Sequence, residues 1–321
     1  MKVSVLCTAF NHEKYVAQAL ESFLSQEADF SFEILVTDDA STDGTAAICR
    51  SYAEKHPDKI RHFHQEENLF SQGINIFPFL LFKEARGEYY AWCEGDDYWT
   101  DSSKLQQQVD FLDAHPEYSG CVHNSYYHFC GENRPDELVI PQAGDRDIGF
   151  ETIITGMSSS FHTSSILVRA SVINPPPDFY NKAFEYGFTD YAIALQMALR
   201  GKIRFIDKPM SVYRYTSNNT SWSSGYKHNY EKLTRFVKGQ IAMMQVLLPH
   251  LNQEEEAAAK REILKREYEL LYLEGRVEEM VRPPYRELYL KEPMSFRVKT
   301  GLKLAFPRLH KIYRAKQGYK E

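Results

Sequence analysis

An α/β fold, a mostly parallel sheet flanked by helices with a helical extension at the C-terminal end, is what the 321-residue sequence predicts. Three observations carry this. Short apolar runs alternate with helical stripes through roughly the first hundred residues, the pattern of βαβ units. Polar loops at 8–12, 38–45 and 94–99 each follow such a run, and in parallel sheets ligands sit outside the carboxyl ends of the strands. From about residue 226 the pattern is helical until Pro283-Pro284 stops it.

Lys2 to Cys7 reads as the first strand, and Glu13 to Gln26 carries Val16, Ala19, Leu20, Phe23 and Leu24 at helical spacing. Phe32 to Thr37 is the second strand, and a helix through Ile48, Tyr52 and Ala53 follows it. Ile60 to His64 is a third strand, Ile74 to Ala85 a helix and Glu88 to Cys93 a fourth strand rich in aromatics. Lys104 to His115 is amphipathic and ends at Pro116, and Tyr118 to Phe129 is again a strand. Gly131 to Gly149 lacks periodicity and reads as an irregular loop over the site. Thr163 to Val168 is a short strand, the prolines after Asn174 exclude regular structure, and Tyr191 to about Leu199 is a helix. Lys202 to Ile206 and Met210 to Arg214 read as two further strands, and Tyr226 to Met280 as helix.

The chain is 43% hydrophobic with a net charge of −6, a globular composition with room for one large domain and an appendage. Domains are expected at 1–225, in two halves at about 1–100 and about 101–225, and at 226–321. No run of eighteen apolar residues occurs. Met1 leads directly into a strand instead of a signal peptide, so a cytoplasmic location is the expectation. Five scattered cysteines without a CxxC pair point to neither a disulfide framework nor a zinc site, and Cys7 and Cys93 read as small core residues. No histidine pair has zinc-binding spacing; His12, His62, His64 and His123 read as loop or packing residues.

Glu94-Gly-Asp-Asp97 places three carboxylates at the end of the fourth strand. Such crowding is costly unless a cation or a proton compensates, and an oxygen-only donor set favours Mg2+ or Mn2+. One reading is therefore a metal-diphosphate site; the other is a solvated acidic turn that caps the following helix.

Three stretches, Val3-Ser-Val-Leu-Cys-Thr-Ala-Phe-Asn11, Val36-Thr-Asp-Asp-Ala-Ser-Thr-Asp-Gly-Thr45 and Glu94-Gly-Asp-Asp97, together resemble the family 2 glycosyltransferases of the GT-A (Rossmann-like) fold, of the bacterial surface-polysaccharide type. Phe188-Thr-Asp190 and Val212-Tyr-Arg214 extend the likeness to about residue 225. The resemblance implies an inverting, metal-dependent transferase that moves a sugar from a nucleotide-sugar to a saccharide acceptor, with Mn2+ or Mg2+ as cofactor. Thr8, Ala9, Phe10 and Asn11 would hold base and ribose, and Asp39 would accept the uracil N3–H, which makes UDP the favoured nucleotide. Asn68 matches a donor-side Asn, or is a plain loop residue. Asp96 is the first choice of metal ligand, and Asp97 a second acid or a helix cap. Glu94 stands where relatives have Asp, on the donor. Asp190 would be the general base that deprotonates the acceptor hydroxyl, with N-capping of its helix as the alternative. Where relatives often carry a metal-binding His, this chain has Tyr215-Thr-Ser217.

Residues 291–321 hold nine Lys/Arg against two Asp/Glu, about +7 of charge, which leaves about −13 elsewhere. Cations mixed with apolar residues suit either an interfacial helix on an anionic membrane or a solvated helix packed on the body. The first reading fits a lipid-linked oligosaccharide acceptor at the inner face of the cell membrane. The acidic body argues against nucleic acid. Two other readings are a sugar nucleotidyltransferase, for which Thr8-Ala-Phe-Asn-His12 lacks the Gly- and Arg-rich phosphate loop, and a nucleotide-sugar-binding scaffold without catalysis.

Overall fold

The computed structural model describes residues 1–141, 144–156, 160–176, 184–185, 189–216 and 230–305. Phe188, Ser217 and the tail from 306 onward lie outside them. The chain divides into two compact units, Met1–Asn218 and Asn219–Glu321.

Among the described residues the first unit is built on one ten-stranded sheet, in the order β3 (Ile60–His64), β2 (Phe32–Asp38), β1 (Val3–Ala9), β4 (Tyr89–Trp92), β9 (Leu167–Arg169), β6 (Tyr118–Cys130), β10 (Lys202–Thr216) and β5 (Tyr98–Trp99), with β7 (Glu137–Leu138) on β6 and β8 (Arg146–Ile148) on β10. Strands β1 (Val3–Ala9), β2 (Phe32–Asp38), β3 (Ile60–His64) and β4 (Tyr89–Trp92) run parallel. The register pairs Ala9 with Asp38, Asp38 with His64 and Leu6 with Trp92. The loops that leave β1, β2 and β4 therefore emerge along the same edge. Val3, Val5 and Cys7 of β1 share a core with Val16, Ala19, Leu20 and Phe23 of helix α1 (Val16–Leu24). The five cysteines are free, and Cys7 and Cys93 are buried as expected of small apolar residues. Helix α2 (Thr45–Lys55) connects β2 to β3.

Beyond β4 the sheet is mixed. Short β9 (Leu167–Arg169) lies between β4 and β6 (Tyr118–Cys130) and is antiparallel to both, and β10 (Lys202–Thr216) runs parallel to β6. Gly120 permits the insertion, since a Cβ there would lie 2.8 Å from the Leu167 carbonyl oxygen. The two strands expected at 202–214 are one bulged strand: Pro209 shifts the register against Asn124 without ending the pairing. The expected loop at 131–149 contains two short strands, β7 (Glu137–Leu138) and β8 (Arg146–Ile148). Ile74 to Ala85 is not a regular helix; it is a π-helical stretch, Phe77–Leu81, followed by the single turn Phe82–Glu84.

Helix α3 (Lys104–Ala114) carries a fully buried lysine. Lys104 Nζ donates to Gln108 Oε1 at 2.8 Å and sits 4.1 Å from the Trp99 ring centroid, while Gln108 Nε2 donates to the Cys121 and Ser165 carbonyls. Burial lowers the Lys104 pKa to about 7. The unfolded chain keeps that proton up to about pH 10.4. Between these two values the unfolded state binds the extra proton, so stability rises with pH across the window, and below it the full cost of burying the charge applies. In urea unfolding from pH 6 to 9.5, wild type is expected to gain stability relative to Lys104→Met by about 1 kcal/mol or more per pH unit above pH 7. A constant difference across the range refutes the assignment.

The second unit is helical. Helix α6 (Tyr230–Leu247) packs with α7 (Gln253–Glu274), and α8 (Arg286–Lys291) and α9 (Met294–Ala305) follow; α4 (Phe150–Gly156) and α5 (Thr189–Arg200) belong to the first unit. The expected single helical stretch is split by a capping box, in which Asn252 Oδ1 accepts the Glu254 and Glu255 N–H groups and Glu255 Oε2 accepts the Asn252 N–H. Gly275, at φ 77°, closes α7.

Candidate active site

The first two loops are stitched together by Asn11. Its backbone is left-handed at φ 57°, its Oδ1 accepts the Thr42 N–H at 2.8 Å, and its own N–H donates to Ser41 Oγ. The Asp39 N–H donates to the Ala9 carbonyl at 3.0 Å, and Ala40 is also left-handed, at φ 60°. A non-glycine residue holds that conformation only where its surroundings impose it. Thr8 is half-buried, Ala9 is buried, and Phe10 leaves its ring exposed beside them.

Asp39 is largely buried and organises the next segment. Its two carboxylate oxygens accept the N–H groups of Leu69 (2.8 Å) and Phe70 (3.1 Å), and its carbonyl accepts Asn68 Nδ2 at 2.9 Å. Asp39 and Asn68 are thus brought together. Each Asp39 oxygen keeps a lone pair for a further donor.

The acidic turn joins β4 to β5 (Tyr98–Trp99), and β5 pairs with β10. It does not run into helix α3, at whose start Asp101 accepts the Ser103 N–H, so the helix-capping alternative has no place at Asp97. Gly95 binds the turn to β1 through its N–H on the Thr8 carbonyl at 2.9 Å, and a Cβ there would lie 3.1 Å from both Ala9 Cβ and His12 Nδ1. Glu94, Asp96 and Asp97 bring carboxylate oxygens within 4.8 Å of one another.

Asp97 is fully buried. Its Oδ1 accepts the Arg214 N–H at 2.9 Å. The Arg214 guanidinium holds the Asp96 carbonyl and Gln18 Oε1 and lies over the Tyr98 and Tyr15 rings. Burial, then the charges of Asp96 and Glu94, push the Asp97 carboxyl well above the ordinary range, against the pull of Arg214. Glu94 is pushed up by desolvation in the cleft and by the charges of Asp96 and Asp190, although its side chain also reaches solvent and water screens part of the effect.

Asp96 Oδ1 and Asp97 Oδ2 are buried without a hydrogen-bond partner. Two unpartnered carboxylate oxygens in one crowded turn are the complement of a hard divalent cation, so these residues fit such an ion.

Asp190 lies in the first turn of α5, where its Oδ1 accepts the Tyr191 N–H at 2.8 Å. Burial raises its pKa. Its charge acts on Glu94, so the two carboxylates lie near enough to interact. Three further side chains were not expected here. His12 Nε2 is 3.8 Å from Asp96 Oδ2; His162, stacked on Tyr213, is 3.8 Å from Asp97 Oδ2; and Arg214 braces the turn. His12 directly follows the first motif and Arg214 closes the stretch Val212-Tyr-Arg214, whereas nothing in the sequence marks His162, which arrives through the pairing of β9.

Strands whose carboxyl ends converge on an acidic turn define the class of the molecule, an α/β protein with a ligand site at the strand ends. Residues 4–166 match the model of glycosyl transferase family 2. The uncharacterized protein Rv1520 of Mycobacterium tuberculosis is 30% identical over 79% of this chain and 71% of its own. The structure of S. aureus TarS in complex with UDP-GlcNAc superimposes with a TM-score of 0.59 at 19% identity, over 92% of this chain and 78% of that one. The Pyrobaculum calidifontis mannosyltransferase PcManGT, in complex with GDP-Man and Mn2+, gives 0.56 at 16% identity, over 99% and 84%. The chain belongs to glycosyl transferase family 2 and is a glycosyltransferase.

Proposed function

We propose that the chain transfers a sugar, with inversion, from a UDP-sugar to a saccharide acceptor in cell-surface polysaccharide assembly. The observation that carries this is the approach of Asp190 to the Glu94-Asp96-Asp97 turn, near enough for the charges of Asp190 and Glu94 to interact. TarS, a poly(ribitol-phosphate) β-N-acetylglucosaminyltransferase whose structure holds UDP-GlcNAc, supports the donor and acceptor classes by analogy.

Asp96 and Asp97 would hold Mn2+ or Mg2+, which when bound supplies Lewis-acid stabilisation of the departing diphosphate. Thr8, Ala9, Phe10 and Asn11 bind the nucleoside, Phe10 through its exposed ring. Asp39 accepts the uracil N3–H on a free lone pair, and Asn68 fixes the Asp39 carbonyl. Glu94 orients the donor. Asp190 takes the proton of the acceptor hydroxyl as its oxygen bonds to the anomeric carbon and the bond to the diphosphate oxygen breaks; the nucleoside diphosphate leaves on the opposite face. A raised pKa makes Asp190 a stronger base than an ordinary carboxylate.

The test is incubation with UDP-, dTDP- and GDP-linked sugars and Mn2+, following slow donor hydrolysis. Release of UDP is expected. Release only of GDP or dTDP overturns the donor assignment, and no release from any donor favours a binding scaffold.

A second reading concerns where the acceptor lies. Among the described residues no helix is long and apolar enough to cross a membrane. Helix α9, however, is apolar on two faces. Phe296 and Leu304 pack into the second unit with Tyr268, Leu271, Val277 and Met280, while Met294, Val298 and Leu302 are 54–66% exposed. At 100° per residue the exposed three form one stripe, with Arg297 and Lys299 on its two sides and no acid in the helix. Cations beside an exposed apolar stripe suit an anionic bilayer surface and a lipid-linked acceptor. Val298→Asp/Leu302→Asp should cut binding to phosphatidylglycerol-containing vesicles in sedimentation about tenfold or more; unchanged binding refutes the membrane face.

A further inference from the structure

His12 stands one residue beyond the Asn11 clamp. Its N–H donates to Thr45 Oγ1 at 2.8 Å, and its carbonyl accepts the Tyr15 and Val16 N–H groups, so its backbone is held at the entry to α1. The ring lies against the acidic turn. Nδ1 is buried without a partner against Gly95, whose missing side chain leaves the space, and Nε2 faces Asp96 Oδ2 at 3.8 Å.

That separation is informative. It exceeds the 3.2 Å or so of an N–H···O hydrogen bond. Two adjacent ligands of one octahedral cation, each bound at about 2.1 Å, lie about 3.0 Å apart, and 3.8 Å is within a side-chain adjustment of under about 1 Å of that spacing. The other nearby imidazole is committed elsewhere: His162 Nδ1 is bonded to Ser164 Oγ at 2.9 Å. Asp96 also keeps its second oxygen, Oδ1, buried and unpartnered.

From this geometry we infer that His12 Nε2 is a nitrogen ligand of the divalent cation held by Asp96. The inference rests on the metal-dependent reading above and assigns one donor within it. It places the imidazole on the loop after the first strand, next to the nucleoside-binding residues. The donor set becomes mixed, and an imidazole shifts preference from Mg2+ toward first-row transition ions. The donor loop and the acidic turn would then be cross-linked through the ion whenever it is bound.

The test is electron spin echo envelope modulation on the full chain loaded with Mn2+, alone and with UDP. Directly bound histidine nitrogen is expected to give 14N modulation that changes to the 15N pattern when the protein is labelled with 15N-histidine. The modulation should be lost in His12→Gln, with Mn2+ affinity reduced about tenfold or more and Mg2+ affinity reduced less. Circular dichroism verifies that the variant is folded, with His12→Asn as a second variant, and a wild-type spectrum without nitrogen modulation refutes the assignment by itself. Mn2+ binding without nitrogen modulation, or modulation that persists in His12→Gln, overturns the assignment and leaves the metal reading standing. No Mn2+ binding in either condition overturns both.

Discussion

Asp190→Asn is expected to lower turnover about 10²–10⁴-fold, the usual worth of a positioned general base, with donor affinity unchanged. Asparagine preserves the size of the side chain and can still accept the Tyr191 N–H that Asp190 Oδ1 accepts now, so α5 should keep its first turn. The pH dependence supplies a second readout. The base must be deprotonated, so turnover rises with pH through its pKa. Burial raises that pKa, and the acid limb of the kcat profile should lie above the ordinary aspartate value of about 3.9. Steady-state kinetics with the preferred donor, and calorimetric titration of UDP with Mn2+, separate the two effects. Unchanged kcat with intact donor binding removes Asp190 from the chemistry.

Asp96→Asn should have effects of opposite sign on activity and on stability. Loss of the first-choice metal ligand removes charge stabilisation worth several kcal/mol at the leaving diphosphate, and roughly 4 kcal/mol is a thousandfold in rate. In the metal-free protein the same change relieves repulsion, because the Asp96 charge is among the causes that raise Asp97 and Glu94. Thermal unfolding in EDTA is therefore expected to show an equal or higher Tm for the variant, while added Mn2+ should stabilise wild type and not the variant. A variant stabilised by Mn2+ as strongly as wild type would place the ion elsewhere.

Much of the first hundred residues was legible because their strands are buried on both faces. Val3–Cys7, Phe32–Val36 and Tyr89–Trp92 are nearly continuous apolar runs, the signature of central parallel strands. The loops after them had to converge, and the acidic turn was visible as soon as its strand was. Residues 101–216 were harder to read, since their order in space departs from their order in sequence. Thr163–Ser165 is a 3-10 turn with His162 as its cap, so the expected strand at 163–168 begins only at Leu167. Pro209 read as a boundary between strands, yet β10 absorbs it in a bulge. At 74–85 the apolar residues have no clear helical period, Pro78 lies at the start of the π-helical stretch, and Asn75 Oδ1 takes the Phe77 N–H. The neighbours of the acidic turn were hidden for a related reason: Arg214 and His162 reach it from two distant segments, and only pairing of β5 with β10 and of β9 with β4 brings them in.

The placement of β9 has a consequence for biosynthesis. The parallel strands β3, β2, β1 and β4 can pair once Trp92 has left the ribosome, but the outer edge of β4 is covered only by Leu167–Arg169, about 75 residues later in the sequence. At 5–20 residues per second this is roughly 4–15 s in which an apolar strand edge stands open to other nascent chains. Chaperone dependence and premature aggregation should therefore concentrate in truncations that end between β4 and β9, and decline in those that extend past Arg169.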